Sequence, residues 1–353
     1  TALRVLYLLR EFKATEPQEL YREINSLPWE DYIKSNGYLS VLSNADTPAI
    51  LDTRFLNLKV KDAIVDRIRD KTGRRPDSGS ELRGVVVNVY WKGDRCSVYL
   101  DTSGEPLSKR GYRKHPHKAP MQESLAAAVV MATGWDGQGA FINPMCGSGT
   151  LAIEAALIAL GRAPAATRLD FAFMHLKGYL PEALKALRAE VRGQGRKSIP
   201  GRIIATDNDP NAITAARRNA ETAGLGHLIE FEVCDFQDTP IPEGGGMVVI
   251  NPEYGKRIGL EEKLADTYGL IGDFFKHKCQ GYHGYVFTGN MKLAKKIGLR
   301  TKSRREFHNG PIECRLLEYE LYEGSRRGPD PGGPDPGGQG PEGPDPTGPE
   351  PAG

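Results

Sequence analysis

From Pro120 onward, short apolar runs alternate with segments whose apolar positions recur at helical spacing. Strands are predicted at Ala140–Ile142, Arg202–Thr206, Ile229–Val233, Met247–Ile250 and Tyr285–Thr288, and helices at Thr150–Leu160, Pro210–Ala223 and Glu261–Cys279. Such alternation is typical of an α/β fold, in which a mainly parallel sheet carries helices on both faces. The runs Thr301–His308 and Ile312–Tyr322 flank Asn309-Gly310, a tight-turn signal, so an antiparallel hairpin is expected to close this sheet.

The N-terminal third has a different pattern, which predicts a small α+β unit. Apolar residues recur every four positions along Lys59–Lys71 and predict a helix. Two β-rich runs, Gly84–Trp91 and Arg95–Asp101, are joined through Gly93-Asp94 and predict a hairpin. We therefore divide the chain into an α+β region at 1–103, a basic connector at 104–119, a sheet domain at 120–325 and a tail at 326–353.

The composition predicts a disordered tail and the cellular compartment of the protein. Residues 328–353 are Gly, Pro, Asp and Glu repeats, which cannot form a core and predict disorder. We expect neither a membrane span nor a signal segment, since no apolar run has the required length or flanks. The cysteines are scattered without a CxxC pair, which disfavours a disulfide framework or a zinc site and indicates a reducing, cytoplasmic compartment. The net charge of +2 favours no class of partner.

Two loops at predicted strand ends carry groups that a nucleotide-like ligand needs. The first, residues 143–150, contains Gly147 and Gly149, which allow a sharp turn and close approach of a ligand. A dinucleotide-binding loop or a plain turn would have the same pattern. In the second, Asp209 and Pro210 are typical of a helix start, which leaves Asp207 at the strand tip to accept ribose hydroxyl protons. Two aspartates that serve only as turn and cap are an equal alternative.

Two further loops follow the next strands. Asp235 and Phe236 could take an adenine amino group and cover its ring, although this pair alone carries little information. The last loop reads Asn251-Pro252-Glu253-Tyr254. The Asn251 side chain and the Pro252 carbonyl can accept the N–H groups of an exocyclic base amine, and Tyr254 can stack on a base extruded from its helix. A surface turn with a locally packed tyrosine is the alternative.

Taken together, the four loops predict one ligand site. They follow consecutive strands, and the carboxyl ends of parallel strands form the edge at which doubly wound sheets bind ligands. A dinucleotide site would have its ribose acid about 20 residues after the glycines, whereas Asp207 lies much further along the chain. A dehydrogenase also gives no role to the loop at 251–254, so it is the least favoured class.

At these residues the sequence resembles the THUMP-domain guanine-N2 RNA methyltransferases, and among them the bacterial RlmL-type enzymes that modify 23S ribosomal RNA. The resemblance extends from near Thr1 to about Tyr322. It is carried by residues 27–30 (LPWE), 60–66, 110–113 (RGYR), 144–150, 153–156, 251–252, 254–255 and 309–311. It implies a Rossmann-like class I methyltransferase domain after a THUMP unit and a ferredoxin-like segment whose beginning would precede Thr1.

The resemblance implies S-adenosylmethionine as cofactor and RNA as substrate, with no metal and no membrane. The residues that it assigns to the cofactor are Asn143, Pro144, Met145, Cys146, Gly147, Ser148, Gly149, Thr150, Asp207, Asp235 and Phe236. Asn251, Pro252 and Tyr254 would hold a guanine of 23S rRNA, whose N2 attacks the methyl group directly. A tRNA guanine-N2 methyltransferase and an adenine-N6 methyltransferase are the enzymatic alternatives.

Three positions depart from the family pattern. Asn143 stands where the family usually has Asp, Gln122 where it has Lys, and Glu253 where it has the second proline of Asn-Pro-Pro-Tyr. Proline fixes φ and lacks an N–H, so Glu253 predicts a softer loop. Its added charge could face solvent, pair with Lys256 or repel RNA phosphate. These departures keep a catalytically silent RNA-binding or assembly factor open as an alternative.

Two basic stretches are candidates for contact with RNA. The connector carries Lys109, Arg110, Arg113, Lys114 and Lys118. Such clusters bind phosphate with sequence-independent, salt-sensitive affinity, and next to a base-modifying pocket we expect the first four to bind RNA. In the second stretch, Lys292–Arg305, a solvated surface is as well supported as RNA contact.

Overall fold

The computed structural model describes residues 1–117, 120–166, 168–254 and 261–322. The expected tail, Lys118 of the connector and Lys256 beyond the last loop lie outside these residues. The described chain forms one sheet of five strands and, later in the chain, one of seven. Within these ranges, every helix is too short or too polar to cross a membrane.

The N-terminal sheet has the strand order β1-β5-β4-β2-β3, with β1 at Leu6–Lys13, β2 at Tyr38–Asp46, β3 at Asp77–Ser78, β4 at Val85–Lys92 and β5 at Arg95–Asp101. β4 and β5 form the expected antiparallel hairpin, and β1 pairs with β5 at the edge. Three helices contribute to the same core, namely α1 (Pro17–Asn25), α2 (Trp29–Tyr32) and α3 (Thr53–Thr72).

The core of this unit lies between α3 and the sheet. The apolar residues that recur every four positions along α3 are fully buried, as their spacing predicts. The helix begins earlier than expected, because Asp52 caps it by accepting the backbone N–H of Arg54 at 2.8 Å. Trp29 is also fully buried, so the motif at residues 27–30 has a structural role in joining α1, α2 and α3.

The second sheet has the order β11-β12-β10-β9-β6-β7-β8, with β6 at Ala140–Pro144, β7 at Ile203–Asp207, β8 at Ile229–Val233, β9 at Gly246–Ile250, β10 at Tyr282–Thr288, β11 at Ser303–Asn309 and β12 at Ile312–Glu320. β6 to β10 are parallel, whereas β12 runs antiparallel between β10 and β11. The Rossmann-like sheet and its closing hairpin are therefore confirmed.

Helices cover both faces of this sheet. They are α4 (Glu123–Thr133), α5 (Thr150–Ala159), α6 (Pro181–Gln194), α7 (Pro210–Thr222), α8 (Glu261–His277) and α9 (Met291–Ala294). α4, α5 and α7 share one apolar core with the sheet, and α8 and α9 share another on the opposite face.

The segment between α5 and α7 joins the two sheets. A short 3-10 helix at Ala172–His175 docks on the N-terminal unit, where the Phe173 N–H donates to the Thr102 carbonyl at 3.2 Å. The Lys177 N–H donates to the Tyr32 carbonyl at 2.9 Å. The two units therefore contact each other both here and through the connector.

Candidate active site

The order of the seven-stranded sheet reverses between β6 and β9. The chain places β7 and β8 on one side of β6 and then returns to place β9 and β10 on the other. In such sheets, ligands bind beyond the carboxyl ends of the strands at this switch point. Asn143 of β6 spans it, since its Nδ2 donates to the Val249 carbonyl of β9 at 2.8 Å. The glycine loop (residues 143–150) and the target loop (residues 251–254) therefore begin side by side.

The glycine loop has an unusual backbone. Met145, Gly147 and Gly149 all have positive φ, of 55°, 54° and 81°. A methionine with positive φ is strained, and such strain concentrates at binding sites. A Cβ on Gly149 would lie 2.9 Å from the Cβ of Ala216, so only glycine lets α5 begin this close to α7. A Cβ on Gly147 would have no described atom within 4 Å, so this part of the loop borders open space.

Asp207 lies against the glycine loop. Its Oδ2 accepts the Gly147 N–H at 2.9 Å, and its Oδ1 accepts the Asp209 N–H at 3.0 Å. Each carboxylate oxygen can accept further hydrogen bonds, so the side chain is fixed in place and can still bind hydroxyl groups. Asp209 caps α7 by accepting the Asn211 N–H at 2.9 Å, as the sequence predicts.

The loop after β8 joins the same edge, because the Cys234 N–H donates to the Asp207 carbonyl at 3.2 Å. Asp235 is exposed and caps the 3-10 helix at Phe236–Asp238. Phe236 is only 8% exposed, and its ring packs edge-on against Phe274 with centroids 5.8 Å apart. Only the rim of this ring is open to a ligand.

The target loop contains a buried acceptor that lacks a donor. The Asn251 Oδ1 has no hydrogen-bond partner among the described residues, which is costly unless a ligand supplies the missing N–H. Pro252 is buried, whereas Glu253 is exposed and its carbonyl accepts from the Tyr268 hydroxyl at 3.5 Å. The charge of Glu253 therefore faces solvent. Its expected pairing with Lys256 falls outside the described residues.

Tyr254 is held by the end of the sheet. Its hydroxyl accepts from the Asn309 Nδ2 at 2.9 Å, and its ring meets Phe287 edge-on at 6.4 Å between centroids. Burial raises the pKa of Tyr254 to about 12, because a phenolate would lose its hydration. Tyr254 is therefore a neutral, fixed ring beside Asn251.

The expectation that Arg110 binds RNA is wrong. Arg110 is 3% exposed, and its Nε donates to Glu154 of α5 at 3.3 Å. The Tyr112 hydroxyl donates to the same carboxylate oxygen at 2.9 Å. Burial raises the pKa of Glu154, and the two donors oppose that effect. The motif at residues 110–113 thus anchors the connector to α5.

Arg113 is also turned inward. Its side chain is 14% exposed and lies 3.5 Å from Glu123. It donates to the Thr150 hydroxyl at 3.1 Å, which links the connector to the start of α5. An inward side chain cannot reach the phosphate of a docked RNA, so the expected RNA contact does not fit Arg113. Lys109 and Lys114 are exposed, so the expected contact stays a prediction for these two residues.

Asn219 is a site residue that the sequence pattern did not reveal. It is fully buried in α7, and its Oδ1 accepts the backbone N–H groups of Lys114 and His115 at 3.1 and 3.0 Å. Its Nδ2 donates to the carbonyls of His115 and Ser148 at 2.8 and 3.2 Å. Asn219 therefore ties the connector to the glycine loop. The signal in the sequence was a polar residue on the apolar face of α7. That face is formed by Ala212, Ile213, Ala216 and Ala220.

The remaining sequence candidates are on the surface. Gln122 is exposed immediately before α4 and makes no side-chain cap. In the second basic stretch, Lys292, Lys295 and Lys296 are exposed beyond the carboxyl end of β10, while Arg305 donates to the Ala132 carbonyl at 2.5 Å.

Comparison with known families accounts for nearly all of the described chain. Residues 14–101 match the THUMP domain, and residues 110–318 match the RMKL-like methyltransferase domain. The chain belongs to the RMKL-like methyltransferase family. This membership confirms the resemblance that the loop motifs indicate, and the matched range includes the glycine loop, Asp207, Asp235 and the target loop.

Individual relatives extend this assignment. The ribosomal RNA large subunit methyltransferase K/L of Syntrophotalea carbinolica is 38% identical over 340 residues, which are 93% of this chain and 48% of that protein. The chain thus spans about half the length of the relatives of this name. A Synechocystis protein described provisionally as an RNA methyltransferase is 36% identical over 90% of this chain and 83% of its own. A provisionally named methyltransferase solved with SAH superposes with a TM-score of 0.81 at 26% identity, covering 92% of this chain and 85% of that one.

Proposed function

We propose that this chain is an S-adenosylmethionine-dependent RNA methyltransferase that methylates the N2 amine of a guanine in 23S rRNA. The observation that carries the proposal is the buried Asn251 Oδ1 at the switch point of the sheet, which has no partner among the described residues. A base amine supplies the donor that this oxygen lacks. Family membership and the relatives named for methyl transfer to large-subunit ribosomal RNA support the same reaction.

The glycine loop, Asp207 and Asp235 form the proposed cofactor site, together with Phe236. Two buried oxygens in the loop, Asn143 Oδ1 and Ser148 Oγ, lack partners among the described residues, and Gly147 borders open space. These features fit a ligand that brings several hydrogen-bond donors. Asp207 would accept ribose hydroxyls and Asp235 the adenine amine. When bound, S-adenosylmethionine supplies an electrophilic methyl group.

The target loop has to make a poor nucleophile reactive. The lone pair of an exocyclic amine is delocalised into the base, so the amine must be oriented before it can attack. The Asn251 Oδ1 and the Pro252 carbonyl would accept its two N–H groups and direct the lone pair towards the glycine loop. Tyr254 would stack on the extruded base. Such alignment can remove several kcal/mol of the barrier, and the proton leaves to water after transfer.

Two exposed lysines of the connector complete the proposed substrate interface. Lys109 and Lys114 lie on the segment that joins the THUMP unit to the catalytic sheet. Contacts between lysine and phosphate position an RNA strand without reading its sequence. The connector would therefore guide RNA towards the target loop while Arg110 and Arg113 keep it anchored.

The test combines cofactor binding with identification of the product. Calorimetric titration of the full chain with S-adenosylmethionine and S-adenosylhomocysteine should show binding. Methyl transfer to ribosomal RNA from a strain that lacks the enzyme should yield N2-methylguanosine in the 23S fraction. Replacing the acceptor in Asn251→Ala should lower kcat about 10²-fold and leave cofactor affinity unchanged. N6-methyladenosine as product, or transfer to tRNA alone, would contradict the assigned target.

The replacement of the second proline of the target loop by Glu253 is the observation that favours a catalytically silent RNA-binding factor. Glu253→Pro restores the usual fixed φ at this position. If the wild-type chain binds RNA without methylating it and only Glu253→Pro is active, the silent factor is the correct reading. Because the Glu253 side chain faces solvent, we expect both forms to transfer methyl groups.

A further inference from the structure

The turn of the last hairpin reaches the proposed target site. Asn309 is the final residue of β11 and pairs across the turn with Ile312, the first residue of β12. The sequence pattern gives Asn309 only a turn role. In the structure its Nδ2 donates to the Tyr254 hydroxyl at 2.9 Å. The C-terminal hairpin is therefore in direct contact with the target loop.

Gly289, which follows β10, leaves room for the tyrosine. A Cβ at this position would lie 3.0 Å from Tyr254 Cδ2 and 2.9 Å from Ile312 Cγ2. The φ of Gly289 is outside the left-handed region, so the glycine is needed for space rather than for its backbone conformation. Ile312 is 46% exposed on the outer side of the same gap. Tyr254 thus lies in a slot between β10 and the hairpin.

Among the described residues, Tyr268 also holds the backbone of the target loop. The Tyr268 hydroxyl is bonded to the Thr288 hydroxyl at 2.7 Å and donates to the Glu253 carbonyl at 3.5 Å. These contacts hold the backbone of the loop but do not set the orientation of the Tyr254 ring. The amide of Asn309 binds the far end of that ring.

We propose that Asn309 is a positioning residue for the target base, which holds the Tyr254 hydroxyl so that the ring meets an extruded base in one orientation. This inference rests on the proposed function. The hydroxyl accepts from Asn309 and lies 3.9 Å from the Cys314 Sγ, so it is turned towards the protein. The ring therefore acts on the base by stacking, which tolerates any base but depends on a fixed ring plane.

A double-mutant cycle with the full chain tests this role. Methyl transfer to 23S rRNA from a strain lacking the enzyme is measured for Asn309→Ala, Tyr254→Phe and the double variant. Each single change removes the same hydrogen bond, so kcat/KM should fall about tenfold in each. The double variant should be no slower than Tyr254→Phe. Affinity for S-adenosylhomocysteine and the Tm should not change, since a merely structural role would alter them.

Several outcomes would overturn the inference. If the losses in kcat/KM multiply in the double variant, Asn309 acts on RNA itself. If kcat/KM is unchanged in Asn309→Ala, Asn309 does not position the base. His308→Ala is the matched control, because His308 is the exposed neighbour on β11, and an equal loss there would assign the effect to the hairpin as a whole. Absence of methyl transfer by the wild-type chain would instead refute the proposed function. Transfer that survives Tyr254→Ala unchanged would refute the role of the target loop.

Discussion

Both asparagines at the switch point have a buried Oδ1 without a partner among the described residues, and Asn143 also uses its amide N–H to join two strands. Asn143 is fully buried, and its Nδ2 joins β6 to β9 through the Val249 carbonyl. An aspartate, which the family resemblance implies at this position, has no N–H to donate and would place a charge against that carbonyl. Asn143 therefore stabilises the strand pair itself. Asn251, one strand further, keeps its Oδ1 available for a ligand among the described residues.

The ionisation of Tyr254 leads to a prediction for the pH profile. Its pKa is raised to about 12 by burial, whereas an unperturbed tyrosine is half ionised near pH 10. Between about pH 7 and pH 10, kcat should therefore show no loss that depends on this hydroxyl. The plots of kcat against pH for the wild type and for Tyr254→Phe should differ in height but have the same shape. A fall near pH 10 in the wild type alone would disprove this.

At the scale of elements, the connector and α5 form a single packed unit. Arg110 and Tyr112 converge on one oxygen of Glu154, and Arg113 reaches Thr150 at the start of the helix. α5 also begins directly after the glycine loop. A change in how the connector packs would therefore reach the proposed cofactor site through the first turn of α5.

Removal of Arg110 should be strongly destabilising. Arg110→Ala leaves Glu154 buried without its charge partner, so the free energy of unfolding at pH 7 should fall by about 3–5 kcal/mol in urea titrations. The deficit should shrink as the pH is lowered, because burial raises the pKa of Glu154 and the protonated acid needs no cation. The exposed Lys109→Ala should change stability by less than about 0.5 kcal/mol. If both variants lower the free energy of unfolding equally, the stabilising role of the buried pair between Arg110 and Glu154 is contradicted.

The loops at the strand ends could be predicted because the sequence signal for each of them is local. The side-chain contacts between distant residues could not be predicted. An apolar run followed by glycine, aspartate or asparagine indicates a strand and its loop, and β6 to β9 follow that rule. The partners of Arg110 and Asn309 lie 44 and 55 positions away, and no nearby residue indicates them. The basic cluster of the connector therefore predicted contact with RNA, whereas the fold uses Arg110 in a buried ion pair with Glu154. α6 could not be predicted either, since it has no buried residue.

At the scale of the whole molecule, the Asn219 side chain joins the connector after the THUMP unit to the glycine loop. Asn219 binds the connector backbone at Lys114 and His115 and also the Ser148 carbonyl of the glycine loop. The segment at Ala172–His175 makes a second junction with the N-terminal sheet. The connector that follows the THUMP unit is therefore linked to the glycine loop by hydrogen bonds.

Loss of this link should weaken cofactor binding. Asn219→Ala leaves two backbone N–H groups and two carbonyls without their partner, so the glycine loop should lose its fixed shape. We expect affinity for S-adenosylhomocysteine to fall about tenfold in calorimetry, the equivalent of about 1.4 kcal/mol. Asn211→Ala, at an exposed asparagine of the same helix, is the matched control and should bind like the wild type. Unchanged affinity in Asn219→Ala would exclude the link.

The place of Asn309 in the chain has a consequence for a protein emerging from the ribosome. The N-terminal parts of a chain fold first during synthesis, so the glycine loop and Asp207 can assemble while β11 and β12 are still unmade. The Tyr254 hydroxyl reaches Asn309 and Cys314 only when the hairpin inserts beside β10. If Asn309 acts as proposed, a nascent chain would bind its cofactor early and acquire the ability to hold a base only after β11 and β12 have been made. On the proposed function, a chain that still lacks this hairpin would thus be unable to hold its target.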